Sequence, residues 1–381
     1  MNKKLYRLLI KAVPKPRLRF GEWTGFSVPE EKAERLIRIL ERERAQGGVL
    51  ALMAADGAIS AAAFGVSRFR DRQPARPDDC FRCASISKHV TAAGVLRLAA
   101  QGRIDPDRDI SDYLGYAVRH PTAPETPITL RLLMAHRAGL RDGARYAAAL
   151  TEPAPLNEVL AAPDSYTEHG PDEGFEYSNL GAGLIGAVLE AALNEPFERI
   201  MRGAILDPAG VRASYLPQHL SGRLADAWRL MPPSRGPLYD AEARRQRPLP
   251  ALDPERDYLT AHGGLCTTAE DLLRIAAFVR TDPACAAMRR PLSAFGKRDH
   301  HLQEGLGCFI YRDPALPFPL YGHQGLAYGA VHGLFYSDGA PAPYTAFALL
   351  TSAVSEQREG VVTAVNRDVG RTVFEGQLKK E

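Results

Sequence analysis

The sequence predicts an α+β protein: one antiparallel sheet drawn from both ends of the chain, flanked by helices, with a mostly helical lobe between. Three observations carry this. Apolar strand-type runs at 49–53 and 58–66 are joined across Asp56-Gly57, a strong two-residue hairpin signal. Runs of the same type recur at 307–312, 329–336 and 344–350. Between the two sets the periodicity is helical. Strands so far apart can share a sheet only if the intervening chain stands aside, so a cleft is expected where lobe and sheet meet.

In chain order, residues 1–20 are expected to be a basic arm. Lys3, Lys4, Arg7, Lys11, Lys15, Arg17 and Arg19 stand there with no acid, which predicts a solvated tail, with contact to a membrane surface or a partner as the alternative. Ser27-Val28-Pro29-Glu30 predicts a capping box opening a helix to about Arg44, with Leu36, Ile37, Ile39 and Leu40 as its apolar face. An irregular, arginine-rich stretch at 67–79 follows the first hairpin. A helix is expected from Ser85 to near Gly102, a short one over 129–135, a strong one over 180–193, and another after Pro196. Residues 213–258 are rich in proline and arginine and predict long loops with at most a short strand pair. A helix over 267–280 has Thr267 or Thr268 as its cap, and residues 361–374 form a closing helix. Hairpin-length loops are expected at Gly322-His323-Gln324-Gly325 and at Asp338-Gly339. The expected division is a single domain over 21–381, its sheet lobe from about 21–84 and 266–381, its helical lobe from about 85–265.

Composition narrows the function. Of 381 residues 48 are basic and 45 acidic, a net charge of +3, so the basic excess of a nucleic-acid binder is missing. No apolar run approaches the roughly 18 residues of a membrane span. Leu8-Leu9-Ile10 is too short and too broken by charge for a signal-peptide core, so a cytoplasmic location is expected. The five cysteines, an odd number without framework spacing, read as reduced thiols.

Several segments could carry chemistry. Ser85 and Lys88 are three apart at a predicted helix start, which puts them on one face, one turn apart. A serine hydroxyl needs its proton removed before it attacks, and a lysine helps only if held near neutrality. Tyr177-Ser178-Asn179 offers a phenol that can share a proton with a lysine and an amide with one donor and one acceptor face. Gly322-His323-Gln324-Gly325 reads either as a simple turn or as the start of a strand along which a substrate lies, its backbone N–H groups facing an oxyanion. Gly181, Gly183 and Gly186 match the dinucleotide-binding spacing, with Asp207 near the position of a ribose-binding acid. The polar approach Gly174–Asn179 lacks the buried strand that reading needs, so close helix packing is the expected role. Cys80 and Cys83 form a C-x-x-C without a second pair, read as buried thiols rather than a redox couple. His300-His301 beside Asp299 reads as a solvated loop rather than a metal site. Gly65-Val66-Ser67 lacks the second glycine of a nucleophile elbow.

Ser85-Ile86-Ser87-Lys88, Tyr177-Ser178-Asn179 and His323-Gln324-Gly325, in that order, resemble the S-x-x-K, Y-x-N and K/H-x-G motifs of the serine β-lactamase and penicillin-binding-protein superfamily. The tyrosine of the second motif is similar to the class C branch and its D,D-peptidase and esterase relatives. Residues 128–140, 177–190 and 262–272 extend the resemblance, which covers about 30–375. It implies the β-lactamase/transpeptidase-like fold and a serine hydrolase cleaving an ester or amide, β-lactams and D-amino-acid peptides among the candidates. It further implies an acyl-enzyme on Ser85, Lys88 and Tyr177 sharing the base role, and Asn179 positioning the substrate amide and the lysine. The oxyanion hole would be the N–H groups of Ser85 and Leu326, the residue after Gly325, with no cofactor or metal. His323 departs from the usual lysine, removing a permanent positive charge and favouring esterase or peptidase over β-lactamase activity. A non-hydrolytic penicillin-binding or sensing module of the same fold is the alternative. A small-molecule substrate is the implied partner; oligomeric state is not legible.

Overall fold

The computed structural model describes residues 3–339, 343–358 and 360–375. Helices α1 (Lys3–Ala12) and α2 (Glu30–Arg42) precede strands β1 (Gly47–Ala54), β2 (Ile59–Gly65) and the short β3 (Phe81–Arg82). Helix α3 (Ile86–Ala100) opens the middle of the chain. After it come the short helices α4 (Ile110–Leu114), α5 (Leu130–Met134), α6 (Ala144–Ala149) and α7 (Leu156–Leu160), then α8 (Asn179–Leu193), α9 (Phe197–Met201) and α10 (Ala241–Arg245). Strand β4 (Cys266–Thr267) and helix α11 (Ala269–Thr281) lead to β5 (Ser293–Ala294), β6 (Leu302–Glu304), β7 (Phe309–Tyr311), β8 (Leu320–Ala327), β9 (Ala330–Tyr336) and β10 (Tyr344–Ala353). Helix α12 (Ala364–Phe374) closes the chain.

Eight strands form one sheet in the order β2-β1-β10-β9-β8-β7-β6-β5, while β3 and β4 pair separately. The first and last parts of the chain meet where β1 lies antiparallel to β10, with Leu50 opposite Leu349. Side chains alternate between faces along a strand. Val49, Ala51 and Met53 therefore join one core with α3, α11 and the helical lobe. Leu50 and Leu52 join the other, with Leu36 and Leu40 of α2 and Val365, Val369 and Val373 of α12. Both faces are covered, which is why β1 reads as an unbroken apolar run.

Most elements lie where their sequence signals put them, and four details differ. Helix α2 begins at Glu30 with Pro29 as N-cap and no side-chain cap bond, so the capping box does not form. Pro29 presets an extended entry (φ −51, ψ 133), and Glu30 and Glu31 supply the first-turn charge instead. The basic arm is not a free tail. Helix α1 buries Ile10, its Tyr6 hydroxyl accepts a hydrogen bond from the Glu356 N–H at 2.8 Å, and Arg44 Nε donates to the Val13 carbonyl at 3.0 Å. Residues 213–258 contain the helix α10 that loop composition concealed, capped by Asp240.

The fourth difference bears on function. Gly322-His323-Gln324-Gly325 is not a loop but the interior of β8, paired with β9 from Tyr321 to Ala327. The turn lies further on, at Tyr328 (φ 58) and Gly329 (φ 91), the left-handed pair of a two-residue hairpin. The glycines that suggested a turn serve close approaches instead. A Cβ at Gly322 would stand 2.0 Å from the Leu334 carbonyl oxygen, and one at Gly325 would stand 2.2 Å from that of Cys83. The Asp338-Gly339 turn continues into residues 340–342, which lie outside the described residues.

Candidate active site

The lobes meet at the first turn of α3. Ser85 is its N-cap and half-buried, and Lys88 lies one turn on with Nζ 3.1 Å from Ser85 Oγ. Ala84, immediately before, has φ 50, a left-handed conformation costing a non-glycine residue about 1–2 kcal/mol. Buried hydrogen bonds hold that kink: Cys83 N–H to the Leu265 carbonyl at 2.7 Å and Ser87 Oγ to the Ala84 carbonyl at 2.6 Å. The strain aims Ser85 out of the helix start and into the cleft.

Lys88 is 4 % exposed and has three oxygen neighbours: Ser85 Oγ, Asn179 Oδ1 at 2.8 Å and the His262 carbonyl at 3.0 Å. Burial lowers its pKa to about 7; Arg82 pushes the same way, while the carboxylates of Asp142 and Glu304 oppose it. Tyr177 reaches Ser85 with its hydroxyl, and its ring centroid lies 5.2 Å from Lys88 Nζ. Burial pushes the phenol above its ordinary pKa.

Asn179 is the first residue of α8, and Asp142 fixes its orientation. Asp142 Oδ2 accepts from Asn179 Nδ2 at 2.7 Å, while Oδ1 accepts from the N–H groups of Asn179 and Leu180 and from Ser178 Oγ. The amide nitrogen is thereby committed to Asp142, and the amide oxygen is left for Lys88. Ser178 caps α8 by accepting from the Gly181 N–H. Its own N–H donates to His136 Nδ1 at 3.2 Å, and the His136 ring stands 4.4 Å from that of Tyr177. Burial holds His136 uncharged, its pKa pushed down to about 3, with the nearby Lys88 adding to the effect.

On the far wall Gly325 of β8 lies against Cys83, which brings Leu326 beside Ser85. Strand β7 pairs with β8 only up to Gly322, so the β8 edge beyond is uncovered on that side. Paired residues alternate in hydrogen bonding. With Ala327 and Ala330 as the closing pair, the Leu326 N–H turns away from β9 and toward that open edge. His323 stacks on Phe309 at 4.0 Å and bonds the Gln324 carbonyl through Nδ1 at 2.6 Å. Burial, with Lys88 second, depresses its pKa well below the usual value, so no charge resides there. Gln324 points to the other face, its Nε2 donating to the Val361 carbonyl at 2.7 Å and its Oε1 accepting from the Thr363 N–H at 3.1 Å.

The structure thus brings Ser85, Tyr177, Asn179, His323 and Leu326 to the lining of one cleft of about 630 Å³, with Lys88 beneath it and Gly325 behind. Sequence reasoning missed Asp142, which sits in an unremarkable Leu-Arg-Asp-Gly stretch, and His136, which read only as a helix end. It also missed Glu304, fully buried and within electrostatic reach of Lys88, and the cations Lys297, Arg298 and Arg358 of the cleft lining. No periodicity marks them, and His136 alone falls within the 128–140 stretch of resemblance.

Other candidates resolve differently. Gly181, Gly183 and Gly186 lie inside α8, where a Cβ at Gly183 would stand 2.1 Å from the Tyr258 carbonyl oxygen and one at Gly186 2.9 Å from Ala261 Cβ. They are packing glycines. Cys80 and Cys83 are buried free thiols, and burial pushes Cys80 up to about 12, far from a reactive thiolate. Asp299 turns inward, accepting from the N–H groups of His301 and Val361, and among the described residues no group of three His, Cys, Asp or Glu converges to hold a metal. None of the described helices is long and apolar enough to cross a membrane.

Known proteins resemble the chain along most of its length. Esterase EstB of Burkholderia gladioli is 26% identical over 364 residues, covering 86% of this chain and 91% of that protein. Penicillin-binding protein 4* of Bacillus subtilis (strain 168) is 27% identical over 179 residues, 45% of this chain and 38% of its own length. Among solved structures, EstCE1, a hydrolase with promiscuous acyltransferase activity, aligns with a TM-score of 0.71 at 21% identity, covering 91% of this chain and 99% of that one. The D-amino acid amidase of Ochrobactrum anthropi SV3 complexed with D-phenylalanine gives 0.66 at 20%, covering 90% and 98%. The profile of the Beta-lactamase family matches residues 33–371, and the chain belongs to that family of serine hydrolases.

Proposed function

We propose that the chain cleaves a small ester or amide through a covalent acyl-enzyme on Ser85. The arrangement around Lys88 carries the reading. With a pKa near 7 the amine is half-neutral at neutral pH. In that form its two N–H bonds go to Asn179 Oδ1 and the His262 carbonyl. The lone pair is then left facing the Ser85 hydroxyl at 3.1 Å, where it accepts a proton. Ser85 Oγ bonds to the substrate carbonyl carbon, and the Ser85 and Leu326 N–H groups receive the oxyanion. The proton held by Lys88 passes by way of Tyr177 to the departing alcohol or amine as the acyl bond breaks. A water then attacks the acyl-enzyme, gives its proton back along the same route, and releases a carboxylic acid and free Ser85.

EstB is named an esterase and the solved amidase acts on D-amino acid amides, and both classes fit this chemistry. The uncharged His323 supports esters and amides over β-lactams, whose carboxylate a lysine at this position helps to hold. Ser85→Ala is expected to abolish turnover of a short-chain p-nitrophenyl ester, and a fluorophosphonate is expected to add one adduct to the wild-type chain at Ser85. Undiminished turnover in the variant removes Ser85 from the mechanism. No turnover and no adduct would favour a binding module of the same fold.

A further inference from the structure

The motif position that would carry positive charge, His323, is uncharged, yet the cleft above it is strongly basic. Lys297 and Arg298 lie on the single turn Gly296–Arg298, and Arg358 stands in the segment that precedes α12. All three line the cleft holding Ser85, and no carboxylate among the described residues lines it. The nearby acids are otherwise engaged. Asp299 is buried and binds the backbone of the opposing segment, its Oδ2 accepting from the Val361 N–H at 3.1 Å. Glu176 pairs with Arg298 at 3.0 Å. Lys297 and Arg358 form no ion pair with any described residue, although Arg358 also lies within electrostatic reach of Glu356, which pairs with Arg229 at 3.5 Å. The same cleft is lined by the apolar side chains of Phe295, Phe309, Leu326 and Val361.

Unpaired like charges are placed in a cleft at a cost in mutual repulsion, and such a cleft concentrates ligands of opposite sign. We infer that the substrate is an anionic ester or amide, with an apolar spacer between the scissile carbonyl and a terminal carboxylate that Lys297 and Arg358 receive. This inference rests on the acyl-hydrolase reading above and names the substrate class of the same site. The carboxylate partner is supplied by two loops, Phe295–Asp299 and the stretch around Arg358 and Val361, not by the strand motif.

Binding and turnover test the two readings separately. Binding is measured calorimetrically on Ser85→Ala with glutaric acid monoanilide and with hexananilide, of similar length but without the charge. The acid is expected to bind about tenfold more tightly, a preference that collapses in Ser85→Ala carrying Lys297→Ala and Arg358→Ala, and that shrinks in about 0.5 M salt. Equal affinity for the two anilides, or a preference unmoved by the double substitution, overturns the inference whether or not the protein is an active enzyme. Turnover is then compared on the mono-4-nitrophenyl ester of glutaric acid and 4-nitrophenyl hexanoate, with spontaneous hydrolysis subtracted. The expected readout is a kcat/KM ratio favouring the acid, reduced about tenfold by the same pair of substitutions. A ratio of one or less overturns the charge inference while leaving Ser85 chemistry intact. Loss of turnover on both esters, with the binding preference present, overturns the hydrolase reading alone.

Discussion

The floor and the rim of the cleft are built by opposite means. On the floor the reacting groups are held by hydrogen bonds and close packing: buried Lys88 by three oxygens, Asn179 by the exposed Asp142, and Leu326 by the approach of β8 to Cys83. On the rim, Lys297 and Arg298 are exposed side chains on a single turn, and among the described residues Arg298 is tied only to a partly exposed Glu176. Groups held by several hydrogen bonds keep one geometry, whereas exposed long side chains with few partners are screened and mobile. A floor of this kind suits the steps common to all acyl transfers, and a rim of this kind suits the choice of acyl group. Substitutions in the floor should therefore reduce kcat, and those in the rim should change which substrate is preferred.

The largest loss is expected from Lys88→Ala. Without the base, kcat/KM should fall by about 10³-fold, within the usual range for a removed general base. A variant retaining a tenth of wild-type activity would mean that Tyr177 suffices alone, and the floor would be less tightly coupled than its hydrogen bonds imply. Next comes Gly325→Val. Its Cβ would stand 2.2 Å from the Cys83 carbonyl oxygen, so β8 must retreat and carry the Leu326 N–H with it. A loss of about 10²-fold is expected, as for one missing oxyanion donor, together with a lowered melting temperature. Wild-type kinetics in this variant would show that the backbone approach does not set the site.

Asp142→Asn tests the support beneath the floor. It keeps the shape but removes a charge that raises the Lys88 pKa and weakens the hydrogen bonds to the start of α8. About a tenfold loss is expected. The wild-type pH profile should rise through about pH 7 as Lys88 loses its proton and then level off, since the neutral amine is the base. In Asp142→Asn that limb should move to lower pH; movement to higher pH would contradict the electrostatic assignment. The smallest effect is expected from Glu304→Gln. Burial holds this carboxyl well above its ordinary pKa, which weakens it as a charge partner of Lys88. Its removal should shift the Lys88 limb slightly to lower pH, with kcat on the plateau changed by less than about twofold. A larger drop on the plateau would make Glu304 a positioning residue of the floor.

The same contrast explains what the sequence made legible. Ser85 and Lys88 could be paired because helical spacing alone puts them on one face, and the strands of the hairpin at Asp56-Gly57 because alternation and turn chemistry are local. Tyr177 and Asn179 gained meaning only beside the other motifs. Asp142 had no local signal: its importance arises because a loop from one part of the helical lobe meets the start of α8. Gly322 and Gly325 misled for a physical reason, since a glycine admitting a neighbouring backbone looks, in sequence, like one that turns the chain. Lys297 and Arg358 were invisible as a pair, being brought together only by the register of β5 to β8 and the return of the chain into α12.

Gln324 sits between His323 and Gly325, yet its amide reaches through the sheet to the Val361 carbonyl and the Thr363 N–H. The strand that presents the Leu326 N–H and the segment that carries Arg358 are therefore held by one side chain. For protein recombination this makes the two pieces a single heritable block. A crossover placed between residues 327 and 358 would join a strand from one parent to a specificity loop from another, with residue 324 left facing carbonyls and amides it was not selected to meet. Chimeras that exchange residues 320–364 together should keep activity more often than those exchanging either piece alone.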